Sequence, residues 1–390
     1  MLGGLVCVAI FIFENINHRF FLHDFQVYYM AAKSFTQEKQ VYNIAFGLET
    51  GYYKYSPITL LLFVPYTAVS FEVARIFHFI LLTICTLSSV ILLYQIIQTY
   101  FFKINGSSGL LFLMLIFILN HLFRELHLGN INIVLVLLVT LAVQFSISGK
   151  TLIAGCLLGL VILTKPYFLL LLLPLIAFRK IKILLVLGLS LFIFLIIPAI
   201  FIGLKENFLL HQAWIKSMSD HSTYLTSTNT IEYLISKYIY TVRPGSLQNF
   251  IILVVGLLYI FIFWQNSKAT VLTLKSHDWQ RQSFIFDMFI LTAIIPNLVI
   301  TDTEHFLLSL PLIIFLTCYL YTQKNYVLTL GFVVLILFYG GNSTDLIGKK
   351  LSLQLADLGL LGLSNLALVL IGIYIYVKQK SIRRYQQEIM

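Results

Sequence analysis

The sequence predicts an all-α, polytopic integral membrane protein, because it is too apolar and too poor in charge to be soluble. Of its 390 residues, 59% are hydrophobic and 11% are charged, and the mean hydropathy is +0.92. Soluble domains carry about 25% charged residues, so the bilayer must surround most of this chain. The apolar runs do not alternate with polar residues as the ~10-residue strands of a membrane barrel would, so helices are expected.

The charge and the cysteines argue against a nucleic-acid-binding protein and against a disulfide-stabilised protein. The net charge of +10 does not indicate nucleic-acid binding, because the basic residues lie in short loops between apolar runs, where they set membrane orientation. The four cysteines lie inside apolar segments without a CxxC pair, so no disulfide framework is predicted. The opening MLGGLVCVAIFIF has no basic region and no cleavage site, which indicates a first membrane helix rather than a signal peptide.

Apolar segments and polar stretches divide the whole chain. The apolar segments fall at about 2–13, 57–70, 74–99, 109–123, 131–148, 151–164, 167–178, 183–203, 249–264, 284–300, 306–321, 326–341 and 356–377. The long polar stretches are 14–56, 204–248 and 265–283. The sequence contains no internal repeat and no soluble insertion, so we expect one membrane domain over residues 1–390.

The basic residues also predict an orientation. Clusters within 179–182, 268–281 and 378–384 are favoured on the inside of the membrane. Strict alternation of the later helices then gives the outer segments, which are 204–248, 301–305, 342–355, Lys165-Pro166 and Leu128-Gly129-Asn130.

The first part of the chain does not alternate in the same simple way. If 14–56 also lies outside, one short early segment, either 57–70 or 109–123, must enter the membrane without crossing it. The alternative is that 14–56 lies inside. We predict twelve crossings with both termini inside, in a multi-pass protein of the cell (inner) membrane.

One carboxylate, Asp24, stands among aromatic and basic residues in HRFFLHDFQVYYMAAKSF. The apolar residues after it recur at helical spacing and predict an amphipathic helix on the membrane surface: Phe25, Tyr28, Tyr29, Ala32 and Phe35. One interpretation makes Asp24 the N-cap of this helix. Another makes it a general base held at the boundary between water and lipid, and both can hold at once.

A lysine interrupts the apolar run VILTKPYFLLLLL at Lys165-Pro166. A charged side chain between such apolar flanks is costly in a membrane, and it therefore indicates a functional site. The other interpretation is an interfacial lysine that extends its ammonium group to water. The residues alone leave both interpretations open.

Polar residues also collect just before the helix that starts near residue 131. In HLFRELHLGNINIVL these are Arg124, Glu125, His127, Asn130 and Asn132. They form a candidate polar wall for a hydroxylated ligand. Alternatively, Arg124 and Glu125 neutralise each other and the asparagines cap the helix.

The short turn TDTEHF, residues 301–306, carries Asp302, Glu304 and His305, and an ordinary solvated turn is its other interpretation. Together with Asp24 these residues offer oxygen and nitrogen ligands, but no HExxH or DxD spacing occurs. The sequence also lacks a P-loop, a dinucleotide fingerprint and a nucleophile elbow. We therefore predict no metal and no cofactor, and an enzyme of this kind would take a lipid-borne substrate.

Five motifs occur in order between about residues 20 and 320. They are DFQVYYMAA (24–32) with Val41-Tyr42, YKYSP (53–57), LGNIN (128–132), AGCLLG (154–159) leading to Lys165-Pro166-Tyr167, and TEHF (303–306) with Pro311. This ordered set resembles the polyprenol-phosphate-mannose-dependent mannosyltransferases of glycosyltransferase family 87, in the GT-C class of membrane enzymes. Asn130 replaces a glutamine of the family pattern, and the last motif lacks a tryptophan and one histidine.

The resemblance implies a GT-C-like helix bundle with amphipathic juxtamembrane helices on the outer face, and with 321–390 as extra C-terminal helices and a cytoplasmic tail. It implies an inverting enzyme that moves a hexose, in the family mannose, from polyprenyl phosphate to a glycan or glycolipid hydroxyl at the outer, periplasmic face. Asp24 would be the general base, and Lys165 and His305 would bind the donor phosphate. The substrate-binding residues predicted with them are Tyr28, Tyr55, Arg124, Asn130, Asn132, Asn229 and Glu304.

Two other functions stay open from the residues alone. A secondary transporter would use Asp24, Lys165 and His305 as coupling groups, but the sequence has no internal repeat and no paired broken helices. A ligase or flippase for lipid-linked glycans is the other alternative. For the enzyme, the expected partners are the lipid-linked donor, the acceptor and membrane lipids, and no nucleic acid.

Overall fold

The computed structural model describes residues 2–47, 51–104, 108–222, 227–239, 277–299 and 302–389, with residues 250, 251, 254 and 256. Helices dominate these residues. The only β pairing among them is an isolated antiparallel bridge between Ala45 and Tyr52, so the all-α prediction is confirmed. Most of the predicted segment 249–264, and the polar stretch 265–283 up to residue 276, lie outside the described residues.

The helices follow the apolar runs closely. In the first part of the chain they are α1 (Leu2–Ile16), α2 (His23–Thr36), α3 (Pro57–Phe63), α4 (Phe71–Tyr100), α5 (Ser108–Phe117), α6 (Leu119–Leu128), α7 (Asn132–Ile147), α8 (Thr151–Thr164), α9 (Leu172–Ala177), α10 (Ile181–Ile196), α11 (Ala199–Ile202) and α12 (Leu204–Ser222). Then come α13 (Ile231–Tyr238), α14 (His277–Leu298), α15 (Leu310–Gln323), α16 (Tyr326–Gly340), α17 (Thr344–Ile347), α18 (Lys349–Asp357) and α19 (Leu360–Ile389). The described residues also form three 3-10 helices, Val64–Ala68, Pro166–Leu171 and Thr303–Ser309.

Several of these helices can span a bilayer. Among the described residues, four are long and apolar enough to cross: Phe71–Tyr100, Ile181–Ile202, Thr303–Gln323 and Leu360–Gln379. The apolar stretch 109–123 breaks between α5 and α6, and this broken pair would be a fifth span if it crosses as one. The protein is therefore a helical membrane protein, whereas the twelve crossings and their orientation stay predictions.

The chain forms two compact units. The first comprises Met1–Leu92 and His121–Thr226, and the second comprises Leu93–Asn120 and Ser227–Met390. The first unit holds the N-terminal helices and α7 to α12, and the second holds α5 and the helices from α13 onward. The expectation of a single enzyme domain over 1–390 stays a prediction.

Two glycines let α8 and α10 pack closely within the first unit. A Cβ atom on Gly155 would lie 2.6 Å from Cγ1 of Val186, and one on Gly159 would overlap Oγ of Ser190. Small residues four apart allow such close backbone approach, and van der Waals packing of this kind drives helix association in membranes. Because Lys165 directly follows α8, the seam between α8 and α10 fixes the position of that lysine.

Buried polar side chains connect α14 and α19 within the second unit. The amide nitrogen of Asn297 donates to the carbonyl oxygens of Asn229 (2.8 Å) and Gly362 (3.0 Å). Asn365 donates to Oδ1 of Asn297 (2.7 Å), and Ser309 donates to Oδ1 of Asn365 (2.6 Å). Buried polar groups are costly unless they are hydrogen-bonded, so this network selects one packing of the two helices.

Candidate functional site

Asp24 lies in the first turn of α2, which confirms the helix predicted there. The N-cap position belongs to Leu22, which has a left-handed backbone (φ 51°), and no side chain caps this helix end. The interpretation of Asp24 as N-cap is therefore wrong. Its half-buried carboxylate still lies near the helix N-terminus, where the partial positive charge of the helix favours an anion.

A glycine joins the start of α2 to the end of α6. Gly129 has a left-handed backbone (φ +70°), and its N–H bonds to the carbonyl of Glu125 (2.9 Å) to end α6. A Cβ atom here would lie 2.8 Å from Cβ of Phe25, so a side chain does not fit. The Gly129 carbonyl accepts a hydrogen bond of 2.9 Å from Nε2 of His78, whose ring stacks on Phe25. Asp24 is thereby held against the segment that follows Gly129.

Asn130 holds the carboxylate of Asp24. Oδ1 of Asn130 accepts a hydrogen bond from the backbone N–H of Ile131 (2.7 Å), which fixes the orientation of its amide. Nδ2 therefore points to Asp24 and donates to Oδ2 over 2.8 Å. The Tyr55 hydroxyl lies 3.5 Å from Oδ1 of Asn130 and 3.0 Å from the hydroxyl of Tyr28. The first unit thus brings together four residues that the sequence analysis selected.

Tyr28 is a neutral hydrogen-bonding group in this cluster. Burial raises the pKa of Tyr28 well above its usual value, and the nearby Tyr55 hydroxyl and the carboxylates of Asp24 and Glu125 raise it further. Ionisation beside two carboxylates is unfavourable, so the hydroxyl keeps its proton at neutral pH. The aromatic ring packs against Tyr53, Tyr55 and Phe63, which fixes its position.

Lys165 occupies the helix break that the sequence predicts, between the end of α8 and the 3-10 helix Pro166–Leu171. Its side chain is 5% exposed, which contradicts the interpretation of a lysine that extends to water. The ammonium group donates to Oδ1 of Asn132 (2.6 Å) and lies 5.6 Å from the centre of the Tyr55 ring. A cation near an aromatic face is stabilised by the ring electrons. Contacts therefore lead from Lys165 to Tyr55, from Tyr55 to Asn130 and from Asn130 to Asp24.

The sequence analysis included Glu125 in the candidate polar wall but not among the predicted substrate-binding residues, and the structure shows it fully buried in α6. Its carboxylate accepts hydrogen bonds from Nδ2 of Asn132 (2.9 Å) and from the N–H of Ile133 (2.8 Å). Ile131 is the N-cap residue of α7, so the interpretation of the asparagines as caps is wrong, and Glu125 supplies the side-chain acceptor instead. Helical spacing places Glu125 on the same buried face of α6 as Leu122 and Leu126. This spacing was the feature of the sequence that could have predicted its burial.

Arg124, Glu304 and His305 are further predicted site residues that the structure describes. Arg124 is exposed on α6. In the second unit, Glu304 is 1% exposed in the 3-10 helix Thr303–Ser309, and Nδ1 of His305 lies 3.6 Å from its Oε1. Glu304 is thus not part of a solvated turn. The roles predicted for Arg124, Glu304 and His305 stay predictions.

Asn229, also in the second unit, uses its amide oxygen to accept a hydrogen bond from the N–H of Gly362 (3.1 Å). This contact joins it to the packing network of α14 and α19, and its predicted role in substrate binding stays a prediction.

Among the described residues, no three His, Cys, Asp or Glu side chains are grouped to hold a metal ion.

The first unit of this helical membrane protein thus links a half-buried carboxylate, Asp24, to a buried cation, Lys165, through Asn130 and Tyr55. The family model for glycosyltransferase family 87 matches residues 53–276, which is more than half of the chain. The chain belongs to glycosyltransferase family 87, and it is a membrane glycosyltransferase. Neither the curated proteins nor the solved structures include a match to this chain.

The matched range divides the predicted site residues. Tyr55, Asn130, Asn132 and Lys165 lie within residues 53–276, together with Arg124 and Asn229. Asp24 precedes the range, as does Tyr28, while Glu304 and His305 follow it. The contact from Asn130 to Asp24 therefore joins a residue inside the family match to a residue outside it.

Proposed function

We propose that this glycosyltransferase moves a hexose, mannose in the first instance, from a polyprenyl-phosphate donor to a hydroxyl of a glycan or glycolipid. The reaction takes place at the outer face of the cell membrane and inverts the anomeric centre. The observation that carries the proposal is the chain of contacts within one compact unit that links a half-buried carboxylate, Asp24, through Asn130 and Tyr55 to a buried cation, Lys165.

Asp24 acts as the general base in this reaction. Its carboxylate takes the proton of the acceptor hydroxyl while the hydroxyl oxygen attacks the anomeric carbon of the donor. The hydrogen bond from Asn130 fixes the direction of the carboxylate before the acceptor arrives. The hydroxyl groups of Tyr28 and Tyr55 lie 3.0 Å apart, and that of Tyr55 lies 3.5 Å from Oδ1 of Asn130, so both are suited to contact a sugar held by this cluster.

Lys165 binds the donor phosphate. The bond from the anomeric carbon to the phosphate oxygen breaks as the new bond forms, and negative charge grows on the departing phosphate. An ammonium group in a site shielded from water stabilises that charge more strongly than it would in bulk solvent. The ammonium group has three donor hydrogens, so its bond to Asn132 is compatible with binding a phosphate oxygen.

The polyprenyl tail needs no polar recognition, because it can stay in the lipid beside apolar helices. The phosphate-binding role of His305 and the substrate-binding role of Glu304 stay predictions from the family resemblance. The outer location rests on the basic clusters that the positive-inside rule places in the cytoplasm.

The direct test is sugar transfer by the purified protein in lipid nanodiscs. Labelled polyprenyl-phosphate mannose and polyprenyl-phosphate glucose are each supplied with a membrane glycolipid extract, and nucleotide-linked mannose serves as the control donor. We expect transfer from a polyprenyl-phosphate sugar and none from the nucleotide sugar. Transfer from the nucleotide sugar alone would contradict the proposed donor class.

A further inference from the structure

A buried carboxylate that the proposed mechanism does not use is linked through one side chain, Asn132, to the proposed phosphate-binding lysine. Glu125 is 0% exposed, and both of its oxygens accept hydrogen bonds in the first turn of α7. The N–H of Ile133 is one of the helix-terminal donors that have no partner within the helix, so a carboxylate is well suited to this position. The position of Glu125 is therefore fixed by the backbone of the next helix.

The side-chain amide of Asn132 connects Glu125 to Lys165. Its Nδ2 donates to Oε2 of Glu125 (2.9 Å), and its Oδ1 accepts from Nζ of Lys165 (2.6 Å). An ammonium group can only donate, so Oδ1 must face Lys165 and Nδ2 must face Glu125. An amide has one acceptor end and one donor end, and each end is matched to one of the two charged groups.

We propose that Glu125 is a positioning residue that holds Lys165 in the donor-phosphate site through the side-chain amide of Asn132. The inference rests on the proposed role of Lys165 in binding the donor. A lysine side chain is flexible and has many rotamers, so an acceptor at a fixed point restricts where its ammonium group lies. Tyr55 restricts it from a second side, because the ammonium group lies 5.6 Å from the centre of that ring.

The chemistry of the amide predicts what happens when the Glu125 charge is removed. In Glu125→Gln the new amide can donate to position 132, and Asn132 can then rotate its own amide by half a turn. Nδ2 of Asn132 would then face Lys165, and two donors would oppose each other. The ammonium group would lose the Asn132 acceptor that restricts its position, without any loss of side-chain volume.

Exchanging the carboxylate at position 125 with the amide at position 132 should restore the hydrogen bond to Lys165. In the double variant Glu125→Gln/Asn132→Asp, the new amide at position 125 can donate to the new carboxylate at position 132. That carboxylate can accept from Lys165 with its other oxygen, and the amide oxygen at position 125 can still accept from Ile133. The total charge of the three side chains is the same as in the wild-type protein.

The experiment measures the KM for polyprenyl-phosphate sugar and for the acceptor separately, together with binding of undecaprenyl phosphate to protein in nanodiscs. The variants are Glu125→Gln, Lys165→Met, their double variant and the exchange variant. Glu14→Gln is the matched control, because Glu14 is 3% exposed in the same unit and bonds to His127 (2.6 Å). Thermal unfolding of each variant records whether it is folded.

We expect Glu125→Gln to weaken donor binding and raise the donor KM by about tenfold or more, with an unchanged acceptor KM. The double variant with Lys165→Met should be no worse than Lys165→Met alone, because both changes break the same contact. The exchange variant should recover most of the donor affinity, and Glu14→Gln should match the wild-type protein.

Two results would overturn the inference while leaving the proposed function intact. One is a wild-type donor KM in folded Glu125→Gln. The other is a donor KM that rises by the product of the two single effects in the double variant. If Glu125→Gln does not fold, the test rests on the exchange variant. A folded exchange variant that binds the donor poorly would exclude a role of Glu125 through Asn132. Failure of the wild-type protein to bind undecaprenyl phosphate or to transfer any polyprenyl-linked sugar would overturn the proposed function and this inference together.

Discussion

The side chains of Asn130 and Asp24 are joined by a hydrogen bond of 2.8 Å across 106 positions of the sequence. The donor follows the left-handed glycine that ends α6, and the acceptor lies in the first turn of α2. The contact fixes the direction of the carboxylate in the first unit. It is the basis for the first of the predictions below.

Replacement of Asp24 by asparagine should abolish most sugar transfer without unfolding the protein. The new amide oxygen can still accept from Asn130, so the local contact survives, whereas the proton acceptor is lost. General-base catalysis contributes about 10²–10⁴-fold, and a fall in kcat of that size is expected. Transfer assays on purified protein give the measurement. Asp220→Asn removes an exposed carboxylate from α12 and is the control. Near-normal turnover in folded Asp24→Asn would reject Asp24 as the base.

Replacement of Lys165 by methionine should impair use of the donor and spare the acceptor. Hydrogen bonds to charged groups contribute about 1.5–3 kcal/mol, which corresponds to a rise in donor KM of roughly ten- to a hundredfold. Steady-state kinetics with each substrate varied in turn separates the two constants. Lys150→Met, at the exposed start of α8, is the control. An unchanged donor KM with normal expression would show that Lys165 does not bind the phosphate.

Replacement of Gly129 by alanine should destabilise the protein more than the same change at Gly149. Both glycines have left-handed backbones, with φ of +70° and +75°, so each change carries a similar conformational penalty of about 1–2 kcal/mol. Only at Gly129 would the new Cβ clash, at 2.8 Å from Phe25, and overpacking costs about 1–3 kcal/mol more. Thermal unfolding in detergent measures the difference. Equal losses at the two positions would contradict the close packing around Gly129.

The first two polar stretches should share one side of the membrane, opposite the C-terminal tail. The basic clusters near residues 180, 275 and 381 are favoured inside, and alternation then assigns 204–248 to the outside. Single cysteines at Lys39, Ser227 and Lys380, in a background without the native four, can be treated with an impermeant maleimide in intact cells. Labelling is expected at the first two positions only, and at all three after permeabilisation. Protection at position 39 with labelling at 227 would put Asp24 on the wrong side for the proposed reaction.

The helices were predictable because their cause is local. Long apolar runs can satisfy their backbone groups in a membrane only as helices, and the run 74–99 became the helix Phe71–Tyr100. Pro166 cannot continue a helix from the preceding residues, so the break at Lys165 was also visible in the sequence. The family was predictable from the order of its motifs, and the match over residues 53–276 confirms it.

The contacts within the site were only partly predictable, because they depend on tertiary packing. The sequence suggested Asp24 as a helix cap, but the N-cap is Leu22, which has a left-handed backbone and packs against Gly129. It also suggested that Glu125 pairs with its neighbour Arg124. Burial of α6 further brings the Glu125 carboxylate to the start of α7, and no spacing rule within one helix could reveal that contact.

The close packing of α8 against α10 affects how loss-of-function alleles of this gene should be interpreted. Gly155 lies ten positions before Lys165, or about 15 Å along a helix that rises about 1.5 Å per residue. A methyl group added at Gly155 would meet Cβ of Val186 and the backbone nitrogen of Leu187, so it must push α10 away or tilt α8, and either movement displaces the residue at the end of α8. A genetic screen for lost activity would therefore recover glycine-to-alanine alleles deep in an apolar helix. Such alleles would be judged conservative by residue type and remote by distance, yet they would mimic loss of the lysine.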